Sequence, residues 1–234
     1  MPNTPSPAYK YGSSIVISES PEIRPAINDN WQARRELADA LRRLNAAALT
    51  ADASSALLRA TAAIVNAEAA RIEENPRVYG REALRRLVPP QQQTADLRYE
   101  TNPASGLSNA VAPHMNIWRE GERAHARVTL DWSHEGPSGH VHGGVVAMLF
   151  DQFLGLAQCL AGNIGHTGTL TIRYHHLTPL NQTLNLVAEL KRVEGRKNFM
   201  AAEIWAGDVR TASCEGVFIT RKVPLPPVSD KAKT

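Results

Sequence analysis

The sequence is poor in cysteine, with only Cys159 and Cys214 among its 234 residues, and both lie in apolar segments. Two cysteines so placed do not form the disulfide framework of a small secreted domain. They are typical of reduced thiols in the core of a cytoplasmic protein, and we predict that location. The first thirty residues also lack the basic start and apolar stretch that mark a secretory signal.

Long apolar runs, blocks of like charge and metal-ligand motifs are also missing. No run of about eighteen apolar residues is found, so no membrane span is expected. The net charge is only +3 and the arginines are scattered, which argues against a nucleic-acid partner. His140 and His142 have no third ligand at a recognisable spacing, and the glycines at 162, 165 and 168 do not open a dinucleotide turn. We therefore expect neither a metal nor a redox cofactor.

Composition and periodicity divide the chain into an N-terminal extension and a main domain. The hydrophobic content of 43% is ample for a core. Residues 1–27 predict a flexible arm, with local order against the body as the alternative, and helical spacing of apolar residues predicts a helical hairpin over 28–76. Residues 77–106 are interpreted as an irregular connector, 107–222 as the main domain and 223–234 as a charged tail. The hairpin is expected to pack on the main domain or on a partner subunit; a lid over a ligand channel is the alternative.

The main domain alternates apolar and polar residues in the manner of strands, with one helical interruption. A strand pair turns at Gly121, and an apolar helix begins near Gly143. Four further strands are predicted over residues 167–175, 184–193, 197–206 and 209–221. Short turns between consecutive strands favour an antiparallel sheet, so the fold class is α+β.

Asp151 is the residue in this helix that needs an explanation. The helix is apolar on nearly every face, so we expect it to be buried. A carboxylate inside such a helix is costly unless it is paired or used in chemistry. One interpretation is a structural aspartate that is hydrogen-bonded to the backbone, and the other is a catalytic carboxylate.

Three motifs in this order resemble the hotdog-fold acyl-CoA thioesterases, and most of all the branch with the phenylacetate-pathway (PaaI-like) and mammalian thioesterase-superfamily enzymes. The motifs are residues 139–144 followed by Asp151, residues 167–174 ending in 178–180, and residues 214–219. The resemblance covers roughly residues 105 to 222. It implies a hotdog fold, in which an antiparallel sheet wraps around a long central helix, and the helical hairpin falls outside it.

The same resemblance implies hydrolysis of an acyl-CoA to a free acid and CoA. Asp151 would be the general base or the nucleophile, and Gly143 would donate its backbone N–H to the thioester oxygen. Thr167 stands where the family places a hydroxyl near the carboxylate, and His142 fills the family's histidine before the glycines. Some members carry an asparagine fifteen positions before the catalytic aspartate, where this chain has Gly136.

Further residues are expected to bind substrate. Met148 and Phe150 would supply apolar walls, and Gly144 lies beside the oxyanion donor. Arg173 is a candidate for the phosphates of the CoA moiety, although a solvated charge at a sheet edge is also compatible with its position.

Helix geometry predicts that two chains share each active site. Gly143 and Asp151 are separated by roughly 12 Å along one helix, so they cannot both reach one carbonyl carbon. If two helices pack antiparallel across a two-fold axis, Gly143 of one chain meets Asp151 of the other. A homodimer, or a homotetramer built as a dimer of dimers, is therefore expected.

Two other functions are compatible with the sequence. One is a hotdog module that binds acyl-CoA without turning it over. The other is a hydratase or dehydratase acting on enoyl or 3-hydroxyacyl thioesters, which would use a histidine base from the loop before the helix. The residues do not distinguish short, long or aromatic acyl groups.

Overall fold

Five α-helices and a six-stranded sheet make up the computed structural model, which describes residues 17–89 and 97–220. The helices are α1 (Asp29–Thr50), α2 (Ser55–Glu73), α3 (Gly80–Arg85), α4 (Arg98–Thr101) and α5 (Gly143–Ala157). The strands are β1 (Asn116–Glu120), β2 (Arg123–Thr129), β3 (His166–Tyr174), β4 (Thr183–Glu194), β5 (Lys197–Ala206) and β6 (Val209–Ile219).

The sheet is antiparallel throughout, and its strand order is β1-β2-β4-β5-β6-β3. Tight turns join β4 to β5 and β5 to β6, whereas α5 carries the chain across the sheet so that β3 lies at the far edge. The α+β class and the hotdog arrangement predicted from the sequence are confirmed.

Helix α5 packs by one broad face against the sheet. Its large apolar side chains at 149, 150, 153 and 154 are completely buried. They meet alternate residues of the central strands, which point to the same face of the sheet: Leu184, Leu186, Ala188, Met200, Ala202, Ile204, Ala212, Cys214 and Phe218. The expected burial of α5 is met on the side of the sheet, whereas Gly144 and Asp151 lie on a face that the single chain leaves exposed.

The N-terminal extension is attached mainly through α1. Arg35 forms a bidentate ion pair with the buried Glu100 of α4, and Ser108 donates a third hydrogen bond to the same carboxylate. Arg42 donates to the backbone oxygens of Leu107 and Asn109. By contrast, α2 buries no residue.

Parts of the arm and of the connector are ordered against the main domain. Ile17, in the predicted flexible arm, enters the main core, and the oxygen of Ser18 accepts the N–H of Arg119 at the edge of β1. The connector, predicted to be irregular, contains α3 and α4. Residues 1–16, 90–96 and the predicted tail lie outside the described part of the chain.

One stretch of the described chain is long and apolar enough to cross a membrane by length and composition alone. It is Gly143–Ala161, which comprises α5 and the 3-10 turn that follows it. The stretch contains Asp151, Gln152 and Gln158, so it is not an uninterrupted run of apolar residues. A core helix passes the same test, and this helix packs on a sheet and carries Asp151, so the finding is weak evidence for a span.

Replacing Arg35 by leucine is expected to destabilise the protein by about 3–5 kcal/mol, because the carboxylate of Glu100 would remain buried without its counter-ion. The free energy of unfolding in urea measures this loss. The matched control is Arg71→Leu, which breaks a solvent-exposed pair with Glu68 and should change little. Equal losses in the two variants would contradict the role given to the buried pair.

Candidate active site

Hydrogen bonds hold the loop before α5 and thereby set the residue at which the helix begins. His142 is the N-cap, and its Nδ1 accepts the N–H of Gly144 at 2.9 Å. The N–H of His142 donates to the backbone oxygen of His134, and the N–H of Val141 donates to the backbone oxygen of Thr178. The loop is therefore tied on both sides, and the cap leaves a defined helix start.

Gly143 occupies the first helical position, and its N–H has no acceptor within residues 17–89 and 97–220. The neighbouring N–H of Gly144 donates to His142. The N–H without an acceptor therefore belongs to Gly143, which the sequence predicted as the oxyanion donor. The oxygen of Gly143 accepts a hydrogen bond of 2.9 Å from the hydroxyl of Tyr174. An unpaired N–H at the positive end of a helix dipole is suited to an oxyanion.

Asp151 is oriented by a hydroxyl from the neighbouring edge strand. Thr167 Oγ1 donates to Asp151 Oδ1 at 2.7 Å. A bulge between Thr167 and Thr169 makes this contact possible. Without it, Thr167 and Leu170 would point to opposite faces of the sheet; with it, both point toward α5.

The carboxylate of Asp151 is exposed in the single chain. The apolar surroundings expected from the sequence are thus absent on that side of α5. A desolvated carboxylate at this position requires a second surface to cover the exposed face of the helix.

Cys214 lies beneath the carboxylate but is not a thiolate. Burial raises the pKa of this thiol to about 12, and the charges of Asp151 and Glu215 act in the same direction. Burial also raises the pKa of Cys159. Both cysteines are therefore neutral thiols near pH 7 and poor nucleophiles.

Gly136 stands where some family members have an asparagine, and the structure gives a reason for the difference. A Cβ atom at this position would lie 2.6 Å from the Cα of His142. The N–H of Gly136 also donates to the oxygen of His140, which closes the loop on itself. Any side chain here would push against the backbone that sets the start of α5, so this loop is built for glycine.

The other predicted binding residues are spread over different parts of the fold. Gly144 is exposed but its N–H is occupied by the cap, and Met148 is half-buried. Phe150 lies wholly in the core against the sheet, so its side chain lines no open cavity of the single chain. Arg173 lies in a cleft on the outer face of the sheet with Arg210, on the side opposite α5. The structure brings together Asp151 and Thr167, but not Arg173.

A groove of about 550 Å³ opens beside the start of α5. Its lining is formed by Pro137, Val141, Gly143, Val146, Tyr174, His175, His176, Leu177 and Thr178. Sequence reasoning missed Tyr174, which both walls this groove and holds the oxygen of Gly143. The sequence did contain a signal for Tyr174. Side chains two residues apart in a strand point to the same face, so Tyr174 points toward the helix together with Ile172.

Two histidines of the loop before α5 are engaged by the backbone. His140 Nδ1 bonds to the oxygen of Ser138, and His142 Nδ1 caps the helix. In the described ranges, no group of three or more His, Cys, Asp or Glu side chains could hold a metal ion.

Comparison with known proteins identifies the family. Residues 138–213 match the family model of the thioesterase superfamily. A thioesterase superfamily protein of known crystal structure is 31% identical in sequence to this chain. The two structures match with a TM-score of 0.69, and the match covers 89% of this chain and 100% of the other protein's chain. The chain belongs to the thioesterase superfamily, and the family resemblance carried by its motifs is confirmed.

Curated relatives match a shorter stretch. Acyl-coenzyme A thioesterase THEM5 of Homo sapiens is 33% identical over 87 residues, which are 36% of this chain and 35% of that protein. Acyl-coenzyme A thioesterase THEM4 of Xenopus laevis is 35% identical over 75 residues, or 32% of this chain and 33% of that protein. The aligned stretch spans about a third of the length of either relative.

Replacing Gly136 by alanine is expected to cost about 1–3 kcal/mol of stability, since the new methyl group must displace the backbone of His142. Gly207→Ala is the control, because it strains a positive φ in an open turn without a backbone clash and should cost only about 1 kcal/mol. Urea unfolding compares the two. A Gly136→Ala variant as stable as the wild type would show that the loop is not tightly packed.

Proposed function

We propose that the protein is an acyl-CoA thioesterase that hydrolyses an acyl-CoA thioester to the free carboxylic acid and CoA. The observation that carries the proposal is the unpaired N–H of Gly143 at the start of α5, in the same helix as a carboxylate oriented by Thr167. The relatives named as acyl-coenzyme A thioesterases support the substrate class. The cytoplasmic location remains a prediction.

We further propose that two copies of the chain share each site. The face of α5 that the sheet leaves uncovered carries Gly144, Ala147, Asp151 and Gly155 at helical spacing, and its glycines and alanine allow a second helix to approach. Along one helix, Gly143 and Asp151 are roughly 12 Å apart, too far to act on one carbon. An antiparallel second copy would place its Gly143 beside this Asp151 and would also cover the carboxylate.

The open edge of β3 supports the same assembly. This strand pairs only with β6 among the described strands, and most of its residues are exposed. An edge strand presents unpaired N–H and C=O groups that a second chain can satisfy. Because β3 carries Thr167, pairing there would bring the second chain close to Asp151. A dimer meets these requirements, and a dimer of dimers is compatible with them.

In the proposed reaction, Asp151 takes a proton from water as the water oxygen attacks the thioester carbon. The carbonyl electron pair moves onto the oxygen, which accepts the N–H of Gly143 from the other chain. Collapse of the intermediate breaks the C–S bond, and the proton held by Asp151 passes to the leaving sulfur. A single oxyanion donor contributes about 10²–10³ in rate and a general base about 10²–10⁴. Direct attack by the carboxylate is the alternative role for Asp151.

The substrate is proposed to enter along the apolar groove beside Gly143, whose walls include Val141, Val146 and Leu177. Arg173, on the outer face of the sheet, remains a proposed contact for the CoA phosphates. For the hydratase alternative, the cap removes His142 as the base: because Nδ1 of His142 accepts a backbone N–H, neutral His142 carries its proton on Nε2. That nitrogen cannot serve as a base.

Asp151→Asn is expected to lower kcat for acyl-CoA hydrolysis by about 10²–10⁴, because the base or nucleophile is lost while the side-chain volume is kept. Release of free thiol from a panel of short, long and aromatic acyl-CoAs measures turnover and identifies the acyl group. Binding of CoA without thiol release by the wild type would instead support the non-catalytic module.

Gly143→Pro is expected to lower kcat by about 10²–10³, because proline removes the backbone N–H that faces the oxyanion. Proline is well tolerated at the first helical position, and His142 already has the extended backbone (φ −62°, ψ 133°) that a residue before proline requires. Gly143→Ala is the matched control: it keeps the N–H, its Cβ would make an ordinary 3.6 Å contact with Tyr174, and it should lose much less activity.

Mixing the Gly143→Pro and Asp151→Asn chains tests whether the site is shared. In a mixed dimer, one site combines the intact Gly143 of one chain with the intact Asp151 of the other. Random reassociation should therefore restore about a quarter of the wild-type activity. No recovery after verified exchange of chains would contradict a shared site.

A further inference from the structure

Three amide side chains, the buried Gln158 and Asn198 and the exposed Asn163, form a cluster behind the Thr167–Asp151 pair. Gln158 directly follows α5, Asn163 lies in the loop before β3, and Asn198 is on β5. Gln158 is 1% exposed and Asn198 is 0% exposed, so both amides are removed from water. Neither touches the exposed face of α5, and the proposed reaction uses none of the three.

Gln158 clamps the backbone of the loop with both ends of its amide. Its Oε1 accepts the N–H of Gly165 at 2.7 Å, and its Nε2 donates to the oxygen of Gly165 at 3.2 Å. Asn198 Nδ2 donates to Gln158 Oε1 and, at 2.6 Å, to Asn163 Oδ1. The end of α5, the loop and the central strand β5 are thus joined by side-chain hydrogen bonds.

The three amides, called the clamp below, stabilise the core less than apolar side chains would. Within the described ranges, Asn198 Oδ1 is buried without a hydrogen-bond partner. A partly satisfied polar cluster in a low-dielectric interior is less favourable than apolar packing of the same volume. A role in setting geometry explains its presence better than a role in stability does.

The clamp spans the two elements that carry the Thr167–Asp151 hydrogen bond. Gln158 lies seven residues after Asp151 in the same helical segment, and Gly165 lies two residues before Thr167. Gly165 also fits flush against β6, since a Cβ there would lie 2.5 Å from the backbone carbon of Ile219. Because the loop is fixed on both sides, the start of β3 has a fixed position relative to α5. The bulge then orients the hydroxyl of Thr167 toward the carboxylate of Asp151.

We infer that Gln158 is a positioning residue of the active site, which acts through Gly165 to hold Thr167 against Asp151, with Asn198 and Asn163 fixing its amide. This inference rests on the proposed thioesterase function. The clamp contacts no reacting atom, so it should affect the chemical step rather than substrate binding.

The test is the kinetics of Gln158→Leu, alone and combined with Thr167→Val. Because small displacements of catalytic groups are costly, kcat of the single variant should fall roughly tenfold or more, with KM nearly unchanged. Since Gln158 acts through Thr167, the double variant should be no slower than Thr167→Val alone. The pH–rate profile of Gln158→Leu should also match that of Thr167→Val.

Thr211→Val is the matched control, because it removes a buried hydroxyl that donates to the oxygen of Ile204. The Thr211→Val variant should be less stable than the wild type but should keep its kcat. Its loss of stability should add to that of Thr167→Val, and kcat of the double variant should equal that of Thr167→Val alone. If Gln158→Leu does not fold, Asn163→Ala carries the same test, since the Asn163 side chain is exposed and only its bond to Asn198 is lost.

An unchanged kcat in the folded variant, or a loss that multiplies with that of Thr167→Val, would overturn the inference alone. A wild-type protein that hydrolyses no acyl-CoA would overturn the proposed function, and the inference with it.

Discussion

The sheet covers one broad face of helix α5 and leaves the opposite face half-buried or exposed, and this division organises the molecule. The sheet takes the face with Phe150, Phe153 and Leu154, which are completely buried. The remaining face presents small residues and Asp151 to solvent. The hydrophobic effect therefore favours a second surface on the same side of the helix that carries the carboxylate, and burial of that surface would be coupled to desolvation of the acid.

The two ends of the proposed machinery are held by one edge strand. Near its start, β3 supplies the hydroxyl of Thr167 to Asp151, and at its end it supplies the hydroxyl of Tyr174 to the oxygen of Gly143. The register of β3 therefore matters at both positions. Between them, a bulge shifts the register by one residue, so that Thr167 and Tyr174 both point toward α5. This explains why buried amides are used to fix the loop from which β3 begins.

Apart from Ile17, which enters the main core, the N-terminal extension and the connector are linked to the main domain by polar contacts, and these reach the same helix. Asn102 donates to the side chain of Gln152, which in turn donates to Ser105, so the connector reaches the residue next to Asp151. The connector is itself held by the ion pair between Arg35 and Glu100. Because polar contacts depend on geometry more than on burial, this attachment is specific even though α2 buries nothing.

The sequence by itself determined the α+β class, the strand order along the chain, the helix at Gly143 and the carboxylate at 151, because these follow from local periodicity and from short motifs. Only the tertiary structure decided that Phe150 is sealed in the core, that Arg173 lies on the outer face, and that Asp151 is exposed in a single chain. Sequence spacing does not show which face of a helix meets a sheet, nor where a bulge shifts a strand. Those outcomes depend on packing between residues far apart in the chain.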